Sequence, residues 1–306
     1  MKLAMLFAGQ GSQCAGMGKD LYEGNATFQK TFDAVTKDLD FDAKTDCFSD
    51  PEGRLNQTEY TQPCMIAFQV ALTEALKEKG ILDQVDYVAG LSLGEYAALA
   101  ASGLWSPEDA VKIAAFRGRA MAKAAEGVDC GMAAVLGLER EDLEPLLEEH
   151  TYITNDNCPG QMVISGEKTG VEKTAAKAKE AGAMRVIPLK VSGPFHTPYM
   201  SPAGDALHVF LKETPTQDMQ IPVVYNFLGK PESDADVAFL LEKQVQFGVR
   251  MRESLEYLLS HGVDTFLEVG PGNALSGFVK RTAKAMEKGV TLYHVQSLEE
   301  LEGLAL

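Results

Sequence analysis

Three stretches of this chain follow one plan, and the plan dictates a parallel sheet. "LAMLFA" (Leu3–Ala8) runs into "GQGSQ", "DYVAG" (Asp86–Gly90) into "LSLGEYAALAA", and "DTFLEVG" (Asp264–Gly270) into "PGNALSGFVKR". Each is a short apolar strand, a glycine turn and a helix start. Continuous apolar strands alternating with helices belong in a parallel sheet covered on both faces. Sites in such sheets form outside the carboxyl ends of the strands, so the three turns are expected to converge on one crevice. Between them, "TQPCMIAFQVALTEALKEKG" (Thr61–Gly80) has helical spacing. "SPEDAVKIAAFRGRAMAKAAEG" opens with Ser106 as N-cap, Pro107 at the first helical position and Asp109 three residues after the cap.

A different order runs from Gly127 to Val191. "CGMAAVLGL" reads as a strand, "EREDLEPLLEEH" as a helix, "TYITNDN" and "GQMVISG" as two strands, "GVEKTAAKAKEAG" as a helix and "MRVIPLKV" as a last strand. That βαββαβ order is the ferredoxin-like split unit. The expected organisation is therefore an α/β protein: a large parallel-sheet subdomain from residues 1–126 and 192–306, with a small ferredoxin-like subdomain, 127–191, inserted. "GKPESDAD" (Gly229–Asp236) reads as a polar surface loop.

Composition narrows the function classes. A net charge of -16 argues against nucleic acid as a partner, because phosphate binding needs a basic surface. No run of about 18 apolar residues predicts a membrane span, and "MKLAMLFAGQGSQC" reads as the first strand rather than a signal peptide. Five cysteines, Cys14, Cys47, Cys64, Cys130 and Cys158, are widely spaced with no CxxC. This favours a reducing, cytoplasmic setting over a disulfide framework or a zinc site. The five histidines are scattered without HExxH, so no metal is expected.

Gly90-Leu91-Ser92-Leu93-Gly94 fits G-x-S-x-G. A turn tight enough to lift a serine above the sheet edge leaves no room for side chains two residues either side. The free N–H groups of the following helix point at the serine, and the Leu93 N–H is the natural oxyanion donor. The alternative is a glycine-rich turn with a capping serine; the strand–turn–helix context favours the nucleophile. A serine needs a base. His196 lies in "VSGPFHTP", a loop directly after a strand, where a base can reach a nucleophile. His150, His208, His261 and His294 fit structural or exposed positions better. No orienting acid stands out by spacing; the acceptor is an acid or some other group such as a backbone carbonyl.

In the helix from Pro107, Ala110, Ile113, Ala114, Arg117, Ala120 and Met121 share one stripe, and all but Arg117 are apolar. A buried guanidinium without an anion costs several kcal/mol. Arg117 therefore pairs with an internal carboxylate or waits for an anionic ligand, whose carboxylate its fork would match bidentately.

With these residues in hand, the chain resembles the malonyl-CoA:acyl carrier protein transacylases and the acyltransferase domains of polyketide synthases. The resemblance rests on "FAGQGSQ", "GLSLGEYAAL", "RGRAM", "NCPGQMVISG", "GPFH", "QVQF" and "EVGPGNALSG", in the family's order. It implies a hydrolase-like large subdomain, acylation of Ser92, His196 as its base, and an oxyanion hole at the Gln10 and Leu93 amides. It also implies malonyl-carboxylate binding by Arg117 and orientation of the site through the Gln246 carbonyl. Asn157 matches a family asparagine near the small subdomain, and Phe195 is similar to malonyl-selective members. Leu91 replaces the family's usual histidine, and Ala8 a frequent proline. The implied reaction moves malonyl from malonyl-CoA to the phosphopantetheine thiol of acyl carrier protein in fatty-acid synthesis, with no cofactor, by a monomeric enzyme. Lys190, Lys280, Arg281 and Lys284 are candidates for the carrier's docking patch, or ordinary surface charges. The rival readings are a serine thioesterase or hydrolase, a polyketide acyltransferase with another acyl preference, and a non-catalytic docking subunit.

Overall fold

The computed structural model describes residues 1–190 and 193–306. Its strands are β1 (Leu3–Phe7), β2 (Val85–Gly90), β3 (Cys130–Leu136), β4 (Thr151–Cys158), β5 (Gln161–Glu167), β6 (Arg185–Pro188), β7 (Val223–Val224), β8 (Val249–Arg250), β9 (Thr265–Val269) and β10 (Thr291–Val295).

One sheet has the order β10-β9-β1-β2-β7, with every pairing parallel. The apolar runs at β1 and β9 are buried along their whole length, as strands covered on both faces must be. Alternation divides β1 between two cores. Leu3, Met5 and Phe7 join the cluster built on the helices Thr58–Glu78 and Pro107–Ala125. Ala4 and Leu6 join the cluster of Leu255, Leu258, Phe278 and Val279 from the helices Met251–Ser260 and Ala274–Ala285. The Phe7↔Gly90 and Phe7↔Val269 pairings bring the carboxyl ends of β1, β2 and β9 side by side, so their three glycine turns open at one edge.

The second sheet has the order β6-β3-β5-β4-β8. Its first four strands are antiparallel and carry the split βαββαβ order, with their own core at Val135, Leu143, Met162 and Ile164. The fifth strand was not foreseen. β8 comes from beyond the insert and pairs parallel with β4, stitching the two units together.

Two local expectations change. Residues 139–150 do not form one helix; a turn at Arg140–Leu143 passes into a 3₁₀ turn at Glu144–Leu146. Pro145 has no N–H to give and its ring clashes with the preceding turn. The strand expected over 184–191 is the shorter β6. Val191 and Ser192, where the expected subdomain boundary falls, lie outside the described residues. Among the described residues no helix is long and apolar enough to cross a membrane.

The turn after β2 is packed too closely to admit side chains at either glycine. A Cβ on Gly94 would sit 2.1 Å from the Phe7 carbonyl oxygen, and one on Gly90 would sit 2.0 Å from the Gly94 carbonyl carbon. Gly94→Ala is expected to destabilise the protein by about 2 kcal/mol or more through forced backbone movement. Gly277→Ala, inside the helix Ala274–Ala285 with open space around the added methyl, is expected to stabilise by about 0.5–1 kcal/mol. Urea unfolding of the two variants checks both signs.

Candidate active site

β2 ends at Gly90 and the helix Gly94–Ala101 begins four residues later, with Ser92 between them at φ 51. A left-handed serine is strained, so neighbours must over-determine it. Leu91 N–H donates to the Phe7 carbonyl at 3.0 Å. Asn226 clamps the rest: its Oδ1 accepts from Ser92 N–H at 2.7 Å, and its Nδ2 donates to the Gly90 carbonyl at 2.7 Å.

Ser92 Oγ lies 2.7 Å from His196 Nε2, and His196 Nδ1 lies 2.7 Å from the Gln244 backbone carbonyl. A carbonyl only accepts, so Nδ1 carries the proton and Nε2 offers its lone pair to the serine hydroxyl. Burial, and next the nearby Arg117 charge, push the His196 pKa down to about 4. The imidazole is therefore neutral, and able to accept a proton, around neutral pH.

Arg117 is 1% exposed. Its Nη1 donates to Gln62 Oε1 at 2.9 Å; its Nη2 donates to Gln244 Oε1 at 3.1 Å and to Ser92 Oγ at 3.2 Å. Its guanidinium lies 4.9 Å from the centre of the Tyr96 ring, and its Nε has no partner among the described residues. Every hydrogen-bond partner it has among the described residues is formally neutral. Of the two sequence alternatives, an internal ion pair does not form among the described residues. By contrast Arg119, two residues on, is exposed and lies 4.0 Å from Asp40.

The two amides expected to form an oxyanion hole come from adjacent strands. Gln10 follows β1 and Leu93 follows Ser92, and neither N–H has an intramolecular acceptor among the described residues. The Gln10 side chain is held by Thr58 Oγ1 at 3.1 Å and by Gln62 Nε2 at 3.2 Å. A cavity of about 250 Å³ reaches His196 between Tyr152 and Ile153 of β4 and Phe247–Gly248.

One expectation is corrected. The carbonyl that accepts from His196 belongs to Gln244, not Gln246. In the helix Val237–Gln246, residues two apart point to roughly opposite sides at 3.6 residues per turn. The Gln246 side chain turns instead to Asp205 Oδ1 at 2.9 Å and the Ser201 carbonyl at 3.4 Å. Phe195 is buried in the large core, against Gly193. Asn157 is buried on β4 with its Oδ1 unpartnered, and no hydrogen bond joins it to Ser92, His196 or Arg117 among the described residues. The other histidines are engaged elsewhere: His208 with Glu242, His294 with Glu300, His261 with the Tyr257 carbonyl and His150 beside Glu149. Lys190, Lys280, Arg281 and Lys284 are exposed, and Arg281 donates to Gln161 at 2.7 Å.

Sequence reasoning missed Gln62, Glu95, Asn226 and Gln244. Glu95 had a signal, as a polar residue in the otherwise small or apolar run "GEYAALAA"; Gln62 follows the polar start "TEYT" of its helix and had none. Asn226 and Gln244 had none, since their contacts with Ser92 span 134 and 152 residues. Glu95 is fully buried; its Oε2 accepts from Gln244 Nε2 at 2.9 Å and from Asn226 N–H at 3.2 Å.

Residues 4–299 match the acyl transferase domain family model. The malonyl CoA-acyl carrier protein transacylase of Bacillus subtilis is 40% identical over 94% of this chain and 92% of its own length. The corresponding protein of Staphylococcus aureus is 38% identical over 99% of this chain and 98% of its own. Among solved structures, the Clostridium perfringens malonyl CoA-acyl carrier protein transacylase superposes with TM-score 0.92 at 40% identity, over 99% of this chain and 95% of that one. A malonyl-transacylase solved with the holo acyl-carrier protein of a type II PKS superposes with TM-score 0.93 at 35% identity, over 99% of this chain and 98% of that one. The chain belongs to the acyl transferase domain family.

Proposed function

We propose that this protein is a malonyltransferase: it carries malonyl from malonyl-CoA to the phosphopantetheine thiol of acyl carrier protein through an ester on Ser92. One observation carries the reading. A buried guanidinium whose partners among the described residues are all neutral stands 3.2 Å from the serine hydroxyl, where the far carboxylate of a short diacid would fall. A general serine hydrolase has no use for a buried cation without a direct ion pair at that place. The names of the relatives, and the neighbour solved with a carrier protein, agree.

In this reading His196 Nε2 takes the Ser92 proton as Oγ attacks the thioester carbonyl carbon. The Gln10 and Leu93 N–H groups receive the developing oxyanion. Collapse breaks the carbon–sulfur bond, and protonated His196 gives its proton to the departing CoA sulfur. The carrier's thiol then enters, loses its proton to His196, and attacks the ester by the same steps in reverse. Arg117 exchanges its glutamine contacts for the malonyl carboxylate, which it holds bidentately. The unit over 127–191 covers the site against water, with the cavity beside His196 as the path for the pantetheine arm. Lys190, Lys280, Arg281 and Lys284 supply the positive surface that an acidic carrier needs on a chain of net charge -16. The reaction requires no cofactor beyond its CoA substrate. Five free cysteines fit a cytoplasmic enzyme, which acts as a monomer.

Three outcomes test this reading. Incubation with malonyl-CoA should add one malonyl mass to the intact protein, and Ser92→Ala should add none. Rapid CoA release without carrier, and no adduct, would mark a hydrolase instead. Arg117→Ala should lower kcat/KM for malonyl-CoA by about 30-fold or more, the effect of removing one partner of a buried charge pair, with acetyl-CoA little affected. Unchanged malonyl transfer would refute the arginine's role. Finally, on the acid side the free enzyme's kcat/KM should hold well below the ordinary histidine pKa of 6.5 and fall near pH 4, where His196 binds its proton. Arg117→Ala removes a repelling charge and should move that acid limb upward.

A further inference from the structure

Glu95 is a fully buried carboxyl that the reaction above does not use. Its Oε1 has no partner among the described residues, while its Oε2 accepts from Gln244 Nε2 and from Asn226 N–H. Both partners belong to the site. Gln244 Nε2 also donates to the Ser92 carbonyl at 2.7 Å, and its Oε1 accepts from Arg117 Nη2 at 3.1 Å. Asn226 holds Ser92 N–H. With acceptors at Glu95 and Ser92 on one side and a donor at Arg117 on the other, only one orientation of the Gln244 amide satisfies all three. Glu95 thus fixes which end of Gln244 meets the guanidinium.

The charges around Glu95 are few. Arg117 acts on it from the helix Pro107–Ala125, the Tyr225 phenol faces it from the end of β7, and Tyr96 follows it on its own helix. β1 has no charged residue. The one acid of β2, Asp86, is bound to Leu3 N–H at the strand's far end. The helix Thr58–Glu78 sends Gln62 and Gln69 inward, and the helix Val237–Gln246 sends Gln244, all neutral. Resting on the malonyl reading, we propose that Glu95 is the resident counter-charge of Arg117 and a positioning residue for the acyl carboxylate, taking up a proton from solvent when that carboxylate occupies the guanidinium. Burial pushes the Glu95 carboxyl up to about 7 against the pull of Arg117, so it is largely ionised just above neutrality. A malonyl carboxylate cancels the pull of Arg117 and adds a second negative charge. Both effects favour protonated Glu95, and by linkage malonyl binding weakens as pH rises through 7.

Ser92→Ala binds substrate without turnover and allows the test. Titration calorimetry with malonyl-CoA at pH 7.5, in phosphate and in Tris, reads protons taken up per ligand bound; acetyl-CoA corrects for the shared CoA groups. The expected excess for malonyl-CoA is about 0.5–0.8 proton. In Ser92→Ala/Glu95→Gln the excess should vanish, and malonyl-CoA should bind at least about fivefold more tightly than to Ser92→Ala at pH 8.5. A packing role alone would produce neither result. Equal uptake for the two thioesters, or an excess that survives Glu95→Gln, overturns the inference. If the double variant does not fold, the comparison of malonyl-CoA with acetyl-CoA on Ser92→Ala decides alone. A wild-type malonyl adduct without proton uptake defeats only this inference, whereas absence of the adduct defeats the proposed function as well.

Discussion

A guanidinium sealed from water among neutral groups is the constraint around which this site is organised. Leaving such a charge without an anion costs several kcal/mol, and the protein offsets that cost with dipoles rather than a direct ion pair. Gln62 and Gln244 turn their carbonyl oxygens to Arg117, and the Tyr96 ring presents its face. These same residues are the links to the rest of the machinery. Gln62 also donates to the Gln10 side chain, on the turn whose Gln10 N–H has no acceptor among the described residues. Gln244 orients His196 with its main chain while its side chain binds the Ser92 carbonyl. Nucleophile, base, cation and oxyanion turn are therefore joined by hydrogen bonds through two glutamines. A displacement at any one of them reaches the others.

The elbow supplies the other half of the geometry. Ser92 and His196 both sit at positive φ, values that few residues other than glycine tolerate. Each is held by contacts distant in sequence, Ser92 by Asn226 and His196 by the Gln244 carbonyl. Placing two strained residues face to face at 2.7 Å needs a rigid base. The parallel sheet provides one, because β1 and β2 end in register and Gly94 packs directly on the Phe7 carbonyl.

What the sequence made legible follows from how local each signal was. The strand–glycine–helix segments were readable because β1, β2 and β9 are short apolar runs cut by glycine. Arg117 was readable because a helix repeats every 3.6 residues, so one charge interrupts an otherwise apolar stripe. His196 was favoured by its loop, directly after a strand. The helix assigned to 139–150 failed at Pro145, where an apolar-periodic pattern outweighed a missing N–H. The placement of Gln246 failed for a subtler reason: two glutamines in "KQVQF" are alike in composition, and only the helix phase decides which carbonyl faces the imidazole. Asn226 and the pairing of β8 with β4 depend on contacts between distant segments, which no local pattern encodes.

The central claim is that Arg117 awaits the free carboxylate of a diacid bound to Ser92. A crystal structure of the protein trapped with malonyl on Ser92 tests it most directly. The account requires the malonyl carboxylate oxygens within about 3 Å of the Arg117 nitrogens, with the thioester-derived carbonyl oxygen turned to the Gln10 and Leu93 amides. An acyl group whose carboxylate points to solvent, while Arg117 stays on Gln62 and Gln244, would contradict it.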